Sequence, residues 1–228
     1  MRYTTRLFTI GLTLASLAGC QMLSFQKEPT IESPFASGPM QPTQEMPANE
    51  AAKVCLATAK KMDDGSRDAE AIALYERARQ HDPKADVAAR LAVLYDRAGQ
   101  TARAAIEYRA AVEMHPKDAD IWNDYGYFYL QRDRFDEAEP CLRKALELKP
   151  KHARAQNNIA LLLGYQGKRD ECLAAFEPNV GRAAAHANLG MILAQQGKTS
   201  DAVSHLQTAL REQPEMPQAR AVLACLQR

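Results

Sequence analysis

The sequence predicts an all-α fold, a solenoid of about five helix pairs followed by a C-terminal capping helix. Small and large apolar residues recur with a period close to 34 residues between about residues 52 and 216. Prolines recur at the end of successive periods, where each one would stop a helix: Pro83, Pro116, Pro150 and Pro214. Near the middle of the periods, residues suited to a positive φ would end the first helix of a pair: Gly99, Asp133, Gly167 and Gly197, with Gly65 close to this place in the first period.

The stretch from Ala119 to His152 shows this pattern most clearly. Its small residues, which would let two helix axes approach, are Gly126, Ala138 and Ala145. Its large residues, which would fill the space between the helices, are Trp122, Tyr129 and Leu142. In this segment the sequence resembles the tetratricopeptide repeat family, and the resemblance implies two antiparallel helices per repeat and a right-handed α-solenoid.

Neighbouring copies are expected because one repeat cannot bury its own apolar face. We assign residues 52–216 to the repeat domain, with repeats at about 52–84, 85–118, 119–152, 153–182 and 183–216. In the fourth repeat Phe176 is followed by Glu177-Pro178, so we predict that its second helix ends early, either as a tolerated deletion or as a feature that shapes the groove. Residues 217–228 are predicted to form the capping helix, which covers the flank of the last repeat.

The N-terminus reads as a targeting segment rather than as part of the fold. Residues 1–19 have a short positive region and an apolar stretch too short to span a bilayer comfortably, which is typical of a signal peptide. The sequence Leu17-Ala18-Gly19-Cys20 resembles the lipobox of bacterial lipoproteins, and the resemblance implies that Cys20 is lipidated. Gln21, in place of Asp, implies sorting to the outer membrane, facing the periplasm, if the cell is Gram-negative. A plain secretory signal or an uncleaved anchor are the alternatives.

The segment that follows is predicted to be a tether between the lipid and the repeats. Residues 20–51 show no helical period and are rich in polar residues and in prolines: Pro29, Pro34, Pro39, Pro42 and Pro47. Such a composition favours a disordered chain, and thirty residues of it span ~30 Å. The alternative is an extended cap packed over the first repeat, with Ile31 and Phe35 as its anchors.

Composition and motifs indicate no enzyme. Lys and Arg total 29 against 28 for Asp and Glu, with no sustained basic run, so we expect no nucleic-acid partner. No phosphate loop, nucleophile elbow or catalytic carboxylate pair stands out, so we expect no catalytic residue, no cofactor and no small-molecule substrate. The histidines, placed near repeat ends or on helix surfaces, do not have metal-ligand spacing. Four cysteines lie in predicted helices, Cys172 being a small buried residue, and one disulfide among them stays open: Cys55, Cys141, Cys172 and Cys225.

The remaining function class is binding through a surface. The resemblance implies that the first helices line a concave groove and that certain repeat places on them are exposed. Carried onto this chain, those places give a candidate peptide-binding groove: Asn123, Asp124, Tyr127, Gln131, Arg154, Asn157, Asn158, Leu161, Tyr165, Asn188 and Met191. Asparagine amides can bond a peptide backbone while the aromatic and aliphatic side chains offer apolar contacts. Each residue, taken alone, could equally be a solvated or a core residue.

Two functions fit a lipid-anchored repeat array. In the first, the protein is a scaffold that binds a peptide or helix of a partner during assembly of an envelope-spanning pilus or secretion system. Residues 157–168 resemble, weakly, the tight-adherence pilus assembly lipoproteins, and pilotins of type IV pili share this layout. In the second, it is an accessory module that localises cell-wall or envelope enzymes. The fold fixes a groove and not its ligand, so the partner's identity is not contained in the sequence.

Overall fold

The computed structural model describes residues 46–227 of the chain, and these residues contain eleven α-helices and no strand. The first helices of the five pairs are α1 (Ala48–Asp64), α3 (Ala88–Arg97), α5 (Ala119–Leu130), α7 (Ala153–Tyr165) and α9 (Arg182–Gln195). The second helices are α2 (Asp68–His81), α4 (Thr101–Met114), α6 (Phe135–Leu148), α8 (Arg169–Val180) and α10 (Thr199–Glu212). The chain ends in α11 (Pro217–Leu226). The predicted all-α solenoid is confirmed.

The predicted signal peptide, the lipidation at Cys20 and the tether up to residue 45 lie outside the described residues. The tether prediction was wrong at its C-terminal end, because α1 begins at Ala48 rather than at residue 52. The carbonyl of Pro47 accepts hydrogen bonds from the backbone N–H groups of Glu50 and Ala51, each at 2.9 Å. Alanine and glutamate are strong helix formers, so residues 48–51 extend the first helix.

The turns inside the pairs follow the predicted places, with one exception. Three glycines have φ between 71° and 80°, and Asp133 has φ 55°, as the sequence pattern predicts for Gly99, Gly167 and Gly197. In the first pair, however, Ser66 adopts the positive φ of 56°, while Gly65 has φ −87°. The repeat frame therefore fixes where the chain reverses even when a glycine is one residue away.

Close contact within a pair depends on glycine where the two helices meet. A Cβ atom placed on Gly126 would lie 2.6 Å from Cγ of Leu142, and one on Gly190 would lie 2.8 Å from Cγ of Leu206. Ala138 also has no exposed surface. Small residues on one helix and leucine on the other thus set the distance between helix axes, as the sequence predicts.

The second helix of the fourth pair ends early, as predicted, but by only two residues, since α8 has 12 residues whereas α6 and α10 have 14 each. Helix α8 continues through Pro178 to Val180, and Gly181, with φ 82°, makes the turn into α9. The side-chain amide of Asn179 donates to the carbonyl of Ala153 and to Oδ1 of Asn157, both at 2.9 Å. These bonds hold the last turn of α8 against α7, although proline offers no N–H for the helix.

The inner side of the array is identified by which helices touch. The backbone of α5 lies close to those of both α3 and α7, and that of α7 lies close to that of α9, whereas within the described residues the backbones of successive second helices stay farther apart. Elements on the inside of a curve lie closer together than those on the outside. The first helices therefore line the concave surface, which is where the sequence places the candidate groove.

Long side chains cross the wider spaces between second helices. Arg79 on α2 forms a two-bond ion pair with Glu107 on α4, both bonds at 2.7 Å, and Arg169 on α8 pairs with Asp201 on α10. Between the second and third pairs, buried aromatic rings of α4 and α5 fill the space, with the ring centroids of Tyr108 and Phe128 5.1 Å apart.

Candidate functional site

The predicted groove residues divide into two sets on the concave surface. We call the central groove the set that joins the start of α5 to the start of α7: Asp120, Asn123, Asp124, Arg154 and Asn158. We call the terminal groove the set that follows it along α7 and α9: Asn157, Leu161, Tyr165, Asn188 and Met191. Tyr127 is 40% exposed on α5, and Gln131 is exposed at the end of that helix. Neither makes a side-chain hydrogen bond within the part of the chain that the structure describes.

In the central groove the polar side chains bind one another. Arg154 donates from Nη2 to Oδ1 of Asp120 at 2.5 Å and from Nη1 to Oδ1 of Asp124 at 3.1 Å. The amide of Asn158 donates to Oδ1 of Asn123 at 2.9 Å, and the Asn123 amide donates to Asp124 at the same distance. The network links two successive repeats, so its polar groups are mostly engaged in holding the array together.

Asn123 corrects the sequence prediction, since its side chain is buried with 2% of its surface exposed. A ligand in the groove therefore cannot reach it in this structure. Asn123 orients Asn158, because Oδ1 of Asn123 accepts the hydrogen bond from the Asn158 amide. Oδ1 of Asn158 takes no part in that bond. A buried amide needs its hydrogen bonds satisfied, and Asn123 obtains them from Asp124 and Asn158.

His152 lies at a repeat end, as predicted, and its side chain is buried at the start of α7 with 4% exposed. Its Nδ1 accepts the backbone N–H of Ala155 at 3.2 Å, so the ring proton sits on Nε2 and donates to Oδ1 of Asp120 at 3.0 Å. Sequence spacing gave no sign of this role, which depends on a carboxylate contributed by the preceding repeat. His152 caps one helix and ties it to another.

Burial and charge move the two carboxyl groups of the central groove in opposite directions. The guanidinium of Arg154 holds the pKa of Asp120 below its usual range, with a smaller contribution from His152. Burial raises the pKa of Asp124, and the attraction of Arg154 offsets this effect in part. Arg154 thus faces two carboxyl groups, Asp120 and Asp124, and when both are ionised these three side chains carry one excess negative charge.

The terminal groove contains no charged side chain. Oδ1 of Asn157 accepts from Asn179, and the Asn157 amide N–H groups have no described partner. Tyr165 donates its hydroxyl to Oε1 of Gln195 at 2.7 Å. The amide of Asn188 makes no hydrogen bond to any described residue, and Leu161 and Met191 are partly buried beside these polar groups.

A depression of about 490 Å³ lies where α9 meets α11. Asn188 and Met191 line it from α9, and the segment before α11 closes the opposite side with Met216 and Pro217. The complete lining is Ala184, Ala187, Asn188, Met191, Gln213, Glu215, Met216, Pro217, Gln218 and Ala219. Sequence reasoning found the α9 side of this site and missed the other, although the apolar face of the predicted capping helix was its signal.

Other chemistry-bearing groups have structural places. Cys172 has no exposed surface, as predicted, and burial raises the pKa of its thiol to about 11. The four cysteines of the described residues are free thiols: Cys55, Cys141, Cys172 and Cys225. Between residues 46 and 227 no group of three or more His, Cys, Asp or Glu side chains could hold a metal ion. Nor does that part of the chain contain a helix with the length and apolar character to cross a membrane.

Solved structures with a similar fold are tetratricopeptide proteins. YrrB, a tetratricopeptide protein with an unusual peptide-binding site, is 22% identical with a TM-score of 0.58, over 76% of this chain and 92% of that one. MamA is 19% identical with a TM-score of 0.59, over 73% of this chain and 93% of that one. The pilF protein of Pseudomonas aeruginosa is 19% identical with a TM-score of 0.56, over 78% of this chain and 90% of that one.

The family comparison covers nearly the whole chain. Residues 14–228 match the family model for the C-terminal domain of cilia and flagella-associated protein 70, a tetratricopeptide repeat model. Repeat arrays of this kind are generally non-catalytic scaffolds that bind other proteins. The chain therefore belongs to this tetratricopeptide repeat family.

Proposed function

We propose that the protein is a membrane-anchored scaffold that binds a peptide or helix of a partner protein in its terminal groove, during assembly of an envelope-spanning pilus or secretion system. The observation that carries the proposal is the contrast in hydrogen bonding along the concave surface. The amide of Asn188 and the N–H groups of the Asn157 amide lack partners in the described part of the chain, although Oδ1 of Asn157 and the Tyr165 hydroxyl are bonded, whereas the polar side chains of the central groove bond one another.

The chemistry of the terminal groove fits an uncharged peptide segment with apolar side chains. Free amides can both donate to and accept from a peptide backbone. Met191 and Met216, which are flexible and polarisable, line the neighbouring depression and can adapt to a large apolar side chain. YrrB, which has a similar fold, has a peptide-binding site, and this supports a peptide as the ligand.

The membrane anchor and the cellular place rest on the sequence. Lipidation of Cys20 would attach the chain to the membrane, and residues between Cys20 and α1 would separate the repeats from it. Sorting to the outer membrane, with the repeats in the periplasm, follows from Gln21. The weak resemblance of residues 157–168 to tight-adherence pilus lipoproteins supports the assembly role, and this segment includes Asn157, Leu161 and Tyr165 of the terminal groove.

The alternative function is an accessory module that keeps a cell-wall or envelope enzyme near the membrane. The same groove and anchor would serve it, since a neutral amide surface does not distinguish a machine subunit from an enzyme. In both cases the array itself would not be the enzyme.

Photocrosslinking in membranes of the native cell tests the proposal. A photoreactive side chain is placed at Met191 in the terminal groove, and in a matched control at Ile106, which is 66% exposed on the second helix α4. Each is repeated in a Cys20→Ala background, and the captured protein is identified by mass spectrometry. We expect a pilus or secretion subunit to be captured at Met191, in a Cys20-dependent manner, and not at Ile106.

Other outcomes decide against parts of the proposal. Capture of a cell-wall enzyme at Met191 would support the accessory role instead. Capture confined to Ile106 would place the interaction on the convex surface and remove the groove from the mechanism. Equal capture with and without Cys20 would separate partner binding from the anchor.

A further inference from the structure

Two histidines meet between α9 and α10 in the last helix pair. Nδ1 of His186 lies 2.9 Å from Nδ1 of His205, and the ring centroids are 5.2 Å apart with 26° between the ring planes. Because the two nitrogens are much closer than the ring centres, the rings meet edge to edge through these atoms. In this hydrogen bond one Nδ1 carries a proton and is the donor, and the other Nδ1 is unprotonated and is the acceptor. At least one of the two rings must therefore be neutral.

This geometry differs from that of a metal site. The two nitrogens point at each other rather than at a shared position beside both rings, and in residues 46–227 no third ligand completes a cluster. The pair is therefore a hydrogen bond whose strength depends on the number of protons it holds. With a proton on each Nδ1, two N–H groups and two positive charges would face each other at this distance.

The charged groups around the pair are themselves paired. Asp201 lies one helical turn before His205 on α10 and favours its protonation, while Arg169 on α8 opposes it, and these two form an ion pair. One turn before His186 on α9, Arg182 pairs with Glu212 at 3.1 Å. The remaining charged side chains of α8 and α10 are exposed: Asp170, Glu171, Glu177 and Arg211.

The other two helices packed on α9 add no free charge. Arg154, the charged residue of α7, binds Asp120 and Asp124, and Arg220, the charged residue of α11, binds the carbonyl of Pro214. Asp201 and Glu212, the carboxylates that lie one turn from the pair or beside it, thus already face arginines and compensate a second proton only in part. Burial and the neighbouring His186 lower the pKa of His205, in that order, and Arg169 adds to the effect.

The pair sits beside the tightest contact of this helix pair. Leu206 follows His205 and packs against Gly190, where a Cβ atom would come within 2.8 Å of its Cγ. On the other helix, Asn188 lies two residues after His186 and Met191 five residues after it. A change in how α10 packs on α9 therefore acts directly on α9, the helix that lines the depression, because a close-packed interior has low compressibility and transmits displacements.

We propose that the His186–His205 hydrogen bond makes the packing of α10 on α9 pH dependent, closed while the pair holds at most one proton and loosened when both rings are protonated. The sign follows from linkage. In the closed state His205 binds its proton less readily than in the open state, so the closed state is fully stabilised above the ordinary histidine pKa of 6.5 and loses this stability as the pH falls below it.

Two measurements on the full chain test the proposal. Nuclear magnetic resonance follows the histidine ring signals with pH, and we expect His186 and His205 to titrate as a coupled pair in two steps. Hydrogen exchange follows the amides of α9 and α10 at about pH 7.5 and about pH 5, corrected for intrinsic exchange. We expect a severalfold rise in their opening at the lower pH, with a smaller change in α3 and α4.

The variants isolate the pair from the other histidines. His205→Gln removes one titrating ring and should abolish the pH-dependent part of the opening in α9 and α10, and His81→Gln, in α2, should leave it as in the wild type. A local measurement is needed because the chain contains other histidines, such as His152, which is bonded to Asp120.

Either of two results would overturn the proposal. One is independent titration of both rings at the ordinary value of about 6.5. The other is an opening of α9 and α10 in His205→Gln that depends on pH as strongly as in the wild type. Should the variant not fold, the titration of the wild-type chain decides alone, since it needs no substitution. The function of the groove is not assumed in either measurement.

Discussion

The central and terminal grooves share one surface and one fold, yet they use polar side chains in opposite ways. In the central groove Arg154, Asn158 and their partners bond one another across two repeats. In the terminal groove the Asn188 amide has no described partner, and the depression beside it is lined by small residues and methionines together with Gln213, Glu215 and Gln218. The comparison indicates that the same exposed repeat places hold the array together in one region and remain open to a ligand in the other.

The difference arises from what the next repeat supplies. Asn123 is buried because Asn158, one repeat later, donates to it, and Asp120 is engaged because Arg154 and His152 both reach it. Asn188 lies in the last repeat, and the element that follows it is α11, which presents Ala219 and Met216 rather than a hydrogen-bonding partner. The side chain of a groove residue has no hydrogen-bond partner where the next helix along the groove presents apolar residues.

Gly126→Ala should give the largest loss of stability. The added Cβ would meet Leu142 and the backbone of α6, and overpacking of this kind costs about 1–3 kcal/mol. Gly190→Ala meets Leu206 in the same way in the last pair. We expect Gly126→Ala to lower the free energy of unfolding of the whole array in urea, whereas Gly190→Ala acts mainly on the terminal helices in hydrogen exchange.

A double variant provides the control for the glycine prediction. Gly126→Ala combined with Leu142→Ala removes the side chain that the new Cβ would strike, so the double variant should lose less than the sum of the two single variants. Additive losses would show that the contact does not limit helix approach.

Asn123→Ala should destabilise the central groove by about 1–3 kcal/mol, because it leaves the buried parts of Asn158 and Asp124 without their partner. Urea unfolding gives the free energy, and resonance shifts at Asn158 report its loss of orientation. A loss no greater than that of an exposed alanine substitution would mean that the buried network adds nothing to stability.

Arg154→Ala should cost less, about 0.2–1 kcal/mol, because both Arg154 and Asp120 are more than half exposed and the pair is screened. The cost should shrink at high salt. Asp120, whose pKa is lowered mainly by Arg154, stabilises the fold above its ordinary pKa of 3.8, and this stability is lost as the pH falls below that value. The difference between variant and wild type in unfolding should therefore decrease in acid; an unchanged difference would assign the effect to packing.

Asn188→Ala should change the free energy of unfolding least, within about 0.5 kcal/mol, because the amide has no described partner. The same variant should weaken partner capture at Met191. Comparison of the two variants separates the two grooves, since Asn123→Ala should affect stability and Asn188→Ala should affect binding. A clear loss of stability in Asn188→Ala would contradict the assignment of this residue to the ligand.

The fold followed from the sequence because its determinants are local and repeated. The places that Gly126 and Leu142 occupy recur in each period. A positive φ also falls at the predicted turn of the first pair, although Ser66 rather than Gly65 adopts it. The residue at which α8 ends was missed because it depends on the side chain of Asn179 reaching back to α7, a contact that no periodic pattern contains.

The site was less predictable for the same reason. The repeat frame places Asn188 and Met191 on the surface that they share, but it treats the place of Asn123 as exposed in every repeat. Burial of Asn123 depends on a particular asparagine in the following repeat. The second wall of the depression depends on the position of Met216 and Pro217, where α11 begins. Pairwise contacts between repeats decide which exposed places remain exposed.

The unequal spacing of the two helix layers has a mechanical consequence. The backbone of α5 lies close to those of α3 and α7, and that of α7 close to that of α9, whereas long arginine side chains such as Arg79 span the gap between second helices. Bending of the array should therefore stretch or shorten the outer gaps while the inner contacts act as hinges, so the width of the groove depends on the outer ion pairs. Since salt screens such pairs, we expect the radius of gyration of the repeats in small-angle scattering to respond to ionic strength.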